Sequence, residues 1–170
     1  FRRVLSDLFE YIESELKDID TDLLDRNACE YGRACKQAAY TLLAKLYLNA
    51  KIYTGNEHWT DCITYCKEVI KAGYTLEDDY AKLFNADNDK RTNEIIFSLP
   101  VDAARTVSWG STTYIICGAV SNASDYQKPE KYGVTSAWGM FRIRGEVPAL
   151  FQEGDGRAMF FTEGQTQTVD

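Results

Sequence analysis

The fold is decided by residues 32–55, which read GRACKQAAYTLLAKLYLNAKIYTG. Apolar and aromatic side chains recur there at the three- and four-residue spacing of a single helix face. They are Ala39, Leu42, Leu43, Leu46, Tyr47, Ala50 and Tyr53. No proline interrupts the stretch, and Gly55 tolerates the left-handed backbone of a helix end. The pattern predicts one long buried helix over 33–54.

Two further helices are predicted beside this one. The first, over 4–19, has an apolar stripe made of Val4, Leu5, Leu8, Phe9, Ile12, Leu16 and Ile19. The second, over 58–72, has an inner face made of Trp59, Cys62, Ile63, Cys66, Val69 and Ile70. The helices over 33–54 and 58–72 are expected to form a hairpin of the tetratricopeptide type, which needs partner helices to bury its faces. The predicted fold class is therefore mainly α.

The helical spacing of apolar residues ends after residue 76. Residues 94–99 are typical of a buried strand that Pro100 stops, and residues 112–120 are an apolar stretch of either type. Over residues 121–145 glycine, serine, asparagine and aromatic residues dominate. We expect a helical scaffold over 1–76 and a loop-rich region with short strands over 77–170, packed on the scaffold as one structural unit.

The net charge of the chain disfavours polyanionic partners. The chain has 170 residues, 45% of them hydrophobic, and a net charge of −7. Nucleic acids and anionic membranes attract concentrations of lysine and arginine, so neither is an expected partner. The apolar runs are too short to span a bilayer.

Catalytic and metal-binding patterns are scarce. The five cysteines include no CxxC pair, and His58 is the only histidine. We therefore interpret Cys62 and Cys66 as small buried hydrophobes, and we expect no cofactor and no enzyme activity. Carboxylates at Asp87 and Asp89, or over 77–79, leave glycosidase or calcium chemistry open, although adjacent acids on a solvated loop usually serve solubility.

Aromatic residues in the irregular region indicate a binding surface. They are Trp109, Tyr114, Tyr126, Tyr132, Trp138 and Phe141, set among serine, threonine, asparagine and glycine. Sugars present apolar C–H faces with polar rims, so exposed rings beside amide and hydroxyl groups suit a carbohydrate. The alternative is that these rings only seal loops onto the helices.

The order of several short motifs resembles the SusD/RagB family of surface glycan-binding lipoproteins, and its starch-binding branch in particular. The matching pieces are Gly32-Arg33-Ala34, the alanine- and leucine-rich run over 38–50, Tyr53-x-Gly55, Trp59, Val69-Ile70-x-x-Gly73-Tyr74-x-Leu76, Tyr80-x-x-Leu83-Phe84, residues 93–97, and Phe151 with Gly154-Asp155-x-Arg157. Each piece is short, and their shared order over residues 32–157 carries the resemblance.

The resemblance implies a non-enzymatic protein that binds starch or maltooligosaccharides and delivers them to a TonB-dependent outer-membrane transporter. It implies that the protein is held at the outer membrane, on the cell surface, by an N-terminal lipid anchor. That anchor would lie outside this chain, and the chain would be an internal fragment. The glycan-binding residues that match the family pattern are Tyr114 and Trp138. The other sugar-binding residues of that pattern would lie in an earlier segment outside this chain.

A second hypothesis from a different class stays open. A tetratricopeptide-type scaffold would bind a peptide or protein in a helical groove rather than a sugar on loops. It requires ligand-facing polar residues on the concave helix face.

Overall fold

Every regular element in the described part of the chain is a helix. The computed structural model describes residues 2–102, 104–106, 111–122 and 128–160. The α-helices are α1 (Arg2–Asp18), α2 (Lys36–Leu48), α3 (Ala50–Thr54), α4 (Trp59–Lys71) and α5 (Ser111–Ala119). Short 3₁₀ helices span Ile19–Thr21, Arg26–Ala28, Tyr80–Phe84, Asn88–Lys90, Pro129–Tyr132 and Pro148–Leu150. The prediction of a mainly α fold is confirmed.

The chain divides into two compact units. The first, which we call the helical unit, comprises Phe1–Asp78 and Lys82–Pro100 and contains α1 to α4. The second, which we call the α5 unit, comprises Asp79–Ala81 and Val101–Asp170.

The core of the helical unit is built around Tyr47 and Leu43. Both are only 1% exposed, and they lie where α2 packs against α4 and α1. The ring of Tyr47 stacks on His58 and on Tyr65, with centroids 5.5 and 5.7 Å apart. Phe9 of α1 meets the same ring edge-on at 6.1 Å. One aromatic side chain of α2 therefore contacts both neighbouring helices.

The predicted helix over 33–54 is not continuous. It begins at Lys36 and is interrupted at Asn49, where the backbone has φ −100° and ψ 1°. The Asn49 side-chain amide donates to the Lys45 carbonyl at 2.8 Å, and its backbone N–H donates to Leu46 at 3.2 Å. Asparagine side chains compete with the helix backbone in this way, so the helix tightens and restarts as α3. The predicted end at Gly55, whose φ is 89°, is confirmed.

Helical spacing located the helices but misassigned part of their buried faces. Leu42 is 53% exposed, although its neighbour Leu43 is in the core. Of the predicted inner face of α4, only Cys62 is buried and Val69 half-buried. The side of α4 that joins the core carries Cys62 and Tyr65. The remaining predicted inner-face residues of α4 are exposed, namely Trp59, Ile63, Cys66 and Ile70. The interpretation of Cys66 as a buried hydrophobe is therefore wrong.

The predicted strand over 94–99 is also wrong, because these residues form no ladder with a neighbouring strand. A strand needs a partner that takes up its backbone groups in succession. Here the Thr75 N–H donates to Asn93 at 3.0 Å, and the Glu77 N–H donates to the carboxylate of Glu94 at 2.7 Å. The segment that leads into 94–99 is held by these isolated bonds.

Arg26 also holds the segments around Tyr74 and Thr92 in place. Its guanidinium lies 4.0 Å from the centroid of the Tyr74 ring and donates to the carbonyls of Ala72 and Thr92 at 3.3 and 3.1 Å. A planar guanidinium can stack and donate at once, which suits it to this junction.

A partly buried polar contact joins α1 to the core. The Tyr47 hydroxyl donates to the carboxylate of Glu13 at 2.5 Å, and the Lys17 ammonium donates to it at 2.6 Å. Burial raises the pKa of Tyr47 to about 12, helped by its hydrogen bond to Glu13. Burial also acts to raise the pKa of Glu13, but the hydrogen bonds from Lys17 and Tyr47 and the nearby positive charge outweigh it, so this pKa is lowered.

We expect Glu13→Gln to reduce the acid sensitivity of the fold. A carboxylate whose folded-state pKa is lowered stabilises the fold above its unfolded pKa of about 4.3, and this contribution is lost as the pH falls through the folded value. The difference in urea midpoint between wild type and Glu13→Gln should therefore be larger at pH 7 than at pH 3. Glu10→Gln, on the exposed side of α1, is the control. An equal difference at the two pH values would contradict the prediction.

Candidate aromatic glycan site

The C-terminal end of α5 is capped by a distant segment of the chain. Backbone N–H groups of Trp138, Met140 and Phe141 donate to the carbonyls of Cys117 and Gly118 at 2.8 to 2.9 Å. The last carbonyls of a helix have no partner within the helix, so another group must satisfy them. This capping brings residues 138–141 alongside α5.

Three rings of the described residues meet as a result, and we call Tyr114, Trp138 and Phe141 the aromatic cluster. The centroids of Tyr114 and Trp138 are 6.1 Å apart with an angle of 59° between their planes. Phe141 meets Tyr114 edge-on at 5.1 Å. Tyr114 is 41% exposed and Phe141 38%, while Trp138 is half-buried. The two predicted glycan-binding residues are therefore neighbours, and both are accessible in part.

Gly118 of α5 faces one ring of the aromatic cluster. It is buried, and a Cβ atom built on it would come within 2.5 Å of Cε2 of Phe141. The Phe141 ring therefore rests directly on the helix backbone.

Of the other predicted aromatic residues, the structure describes Tyr132. Trp109 and Tyr126 lie outside the described residues. Tyr132 is exposed and lines an apolar cavity of about 710 Å³ in the α5 unit. Ile115, Ile116, Ile143 and Phe141 also line this cavity. Phe141 therefore both lines the cavity and contacts Tyr114.

Two of the predicted carboxylates, Asp87 and Asp79, bind neighbouring groups. Asp87 pairs with Lys90 at 3.6 Å and with Arg91 at 3.4 Å. Asp79 accepts from the backbone N–H of Ala81 at 3.1 Å. Within the described ranges, no group of three or more histidine, cysteine, aspartate or glutamate side chains is arranged to hold a metal ion.

A smaller cavity of about 300 Å³ lies in the helical unit. Arg26, Arg91 and Tyr74 line it together with Cys35 and Phe97. Arg26 is bound to backbone carbonyls and Arg91 to Asp87, so two of the cavity's charged side chains hold the surrounding loops together.

The motif Gly154-Asp155-x-Arg157 forms a closed local structure. The Arg157 guanidinium donates to both carboxylate oxygens of Asp155 at 2.9 and 2.6 Å. These side-chain bonds, with one from the Arg157 backbone, lower the pKa of Asp155 to about 2. Arg157 also lies 5.8 Å from the centroid of the Phe151 ring. The motif thus orders a turn of the α5 unit.

Sequence reasoning missed the role of Gly118. A glycine inside the apolar stretch over 112–120 was the available signal, since an interior glycine often marks the close approach of another group. Its partner, Phe141, could not be inferred from local pattern.

The exposed faces of the aromatic cluster suit a ligand whose own rings can lie against them. Because the chain is acidic, a neutral ligand is favoured over an anion. The chain is similar to a starch-binding protein. It is 34% identical over 149 residues to starch-binding protein SusD of Bacteroides thetaiotaomicron, and the match covers 86% of the chain. The chain spans about a quarter of the length of SusD, 26%. No protein-family model matches the chain. The similarity to SusD supports the resemblance that the sequence motifs indicated.

Proposed function

We propose that this protein belongs to the SusD-like family and binds starch or maltooligosaccharides without hydrolysing them, using Tyr114 and Trp138. The observation that carries the proposal is the aromatic cluster, in a chain that is 34% identical to a starch-binding protein.

The geometry of the cluster supports an α-linked glucan. Coplanar rings form a flat platform, which suits the flat chains of β-1,4-glucans. The planes of Tyr114 and Trp138 are 59° apart, so successive sugar rings of a curved chain can each lie against one aromatic face. The net charge of −7 also favours a neutral glycan over an acidic one.

The cellular role follows from the resemblance to the family. The protein would lie at the bacterial cell surface, attached to the outer membrane by an N-terminal lipid, and would deliver its glycan to a TonB-dependent transporter. Among the described residues, no helix combines the length and apolar character needed to cross a membrane.

The proposed function is tested by calorimetry of the full-length protein with maltoheptaose and with cellohexaose. Binding of maltoheptaose alone, with no shorter sugars released on prolonged incubation, is the expected result. Absence of maltoheptaose binding would reject the starch assignment, and release of sugars would reject the non-catalytic role.

The alternative of a peptide-binding tetratricopeptide scaffold is not favoured, because the similar protein binds starch. A pull-down of peptides that survives loss of the aromatic cluster would reverse this preference.

A further inference from the structure

Gly118 occupies a position where helix propensity favours another residue. It lies in the helical backbone of α5, and glycine is less favourable there than alanine because its unfolded chain has more freedom. Its φ is not positive, so its backbone conformation does not require glycine. The reason for glycine must therefore lie in what surrounds it.

The surrounding group is the ring of Phe141. A Cβ atom on Gly118 would lie 2.5, 2.8 and 3.0 Å from three atoms of this ring. Contacts this short force one of the two groups to move. The missing side chain of Gly118 is therefore what allows Phe141 to rest against α5.

Phe141 in turn touches the proposed sugar-binding ring. Its edge-on contact with Tyr114 at 5.1 Å limits the tilt of the tyrosine, which within the described part of the chain also contacts Trp138 at 6.1 Å. The Phe141 backbone is also bonded to the Gly118 carbonyl at 2.9 Å, so ring and backbone are fixed at the same point.

We infer that Gly118 is a positioning residue of the glycan site, acting through Phe141 to set the angle between Tyr114 and Trp138. The inference rests on the proposed function. A side chain at Gly118 displaces the Phe141 ring, and the apolar cavity on which this ring borders gives it space to move into. The protein then folds, but Tyr114 loses its support and must be ordered by the ligand at a cost in affinity.

The test compares Gly118→Ala with Gly156→Ala in the full-length protein. A Cβ atom on Gly156 meets nothing within 4 Å, and its φ is not positive, so it is a matched control in the same unit. Gly118→Ala should bind maltoheptaose about tenfold more weakly, the scale of one aromatic edge contact, while Gly156→Ala binds as wild type. The near-ultraviolet circular dichroism of the tyrosine and tryptophan rings should change in Gly118→Ala alone.

A double-mutant cycle with Phe141→Ala separates positioning from a general loss of stability. Phe141→Ala removes the ring that the new methyl group would strike and should itself weaken binding by about tenfold. Adding Gly118→Ala to it should then cost nothing further, because the clash is gone. If Gly118→Ala fails to fold, Phe141→Ala alone still decides, since wild-type affinity in this variant overturns the inference.

The outcomes distinguish the inference from the function on which it rests. A wild-type protein that does not bind maltoheptaose rejects both. A protein that binds, loses affinity in Trp138→Ala and keeps it in Gly118→Ala rejects the positioning role alone. A Gly118→Ala loss that persists undiminished in the Phe141→Ala background also rejects it.

Discussion

Replacing Trp138 by alanine is expected to weaken maltoheptaose binding about 30-fold, equivalent to roughly 2 kcal/mol, the scale of a central aromatic contact. Trp138 offers the largest ring of the aromatic cluster, and its backbone N–H is bonded to the Cys117 carbonyl at 2.8 Å. This bond fixes the backbone, and the contact with Tyr114 at 6.1 Å supports the ring before the sugar arrives. A placed ring gains contact area on binding without the entropy cost of ordering a loop.

The control for this substitution is Trp59→Ala, the same chemical change at an exposed position of α4 in the helical unit. It should leave the affinity for maltoheptaose unchanged. Calorimetry measures both variants, and a thermal melt of each shows that the fold is kept. Equal affinities of wild type and a folded Trp138→Ala variant would remove this residue from the site.

Replacing Leu43 by alanine is expected to lower the free energy of unfolding by about 3 kcal/mol, as for other fully buried leucines. Leu43 is 1% exposed and lies beside Tyr47 in the core of the helical unit. The loss combines the transfer of apolar atoms with the cavity that the surrounding helices cannot close. Urea unfolding followed by fluorescence measures the change.

The adjacent residue gives a matched control for this prediction. Leu42→Ala makes the same change on the same helix at a side chain that is 53% exposed, so it should alter stability by less than about 0.5 kcal/mol. The helical spacing of the sequence assigned both leucines to the buried face. Equal losses in the two variants would support that assignment against the structure.

Features that depend on neighbouring residues in the sequence were predictable. The helices at 4–19 and 58–72 correspond closely to α1 and α4, because apolar spacing and helix ends are local signals. Gly55 was predictable as a helix end for the same reason. The break at Asn49 was missed, because an asparagine inside a helical pattern breaks the helix only when its amide turns back to the preceding turn, as it does here.

The candidate site was also predictable only in part, because some of its features depend on residues far apart in the sequence. The aromatic residues were visible in the sequence, and the resemblance to the SusD/RagB family selected Tyr114 and Trp138 among them. Their use in binding stays a prediction. Their contact, and the third ring of Phe141, depend on bonds between residues 138–141 and the end of α5, which no local pattern encodes.

The sequence by itself determined that the chain is mainly α, where three of its helices lie, and which rings were candidates for a sugar. Only the tertiary structure decided which leucine of Leu42 and Leu43 is buried, and that Gly118 must be small so that Phe141 can lie against Tyr114. The physical reason is how far apart in the sequence the interacting residues lie. Helix formation follows from residues three and four apart, whereas burial and ring contact depend on groups that folding brings together from distant parts of the chain.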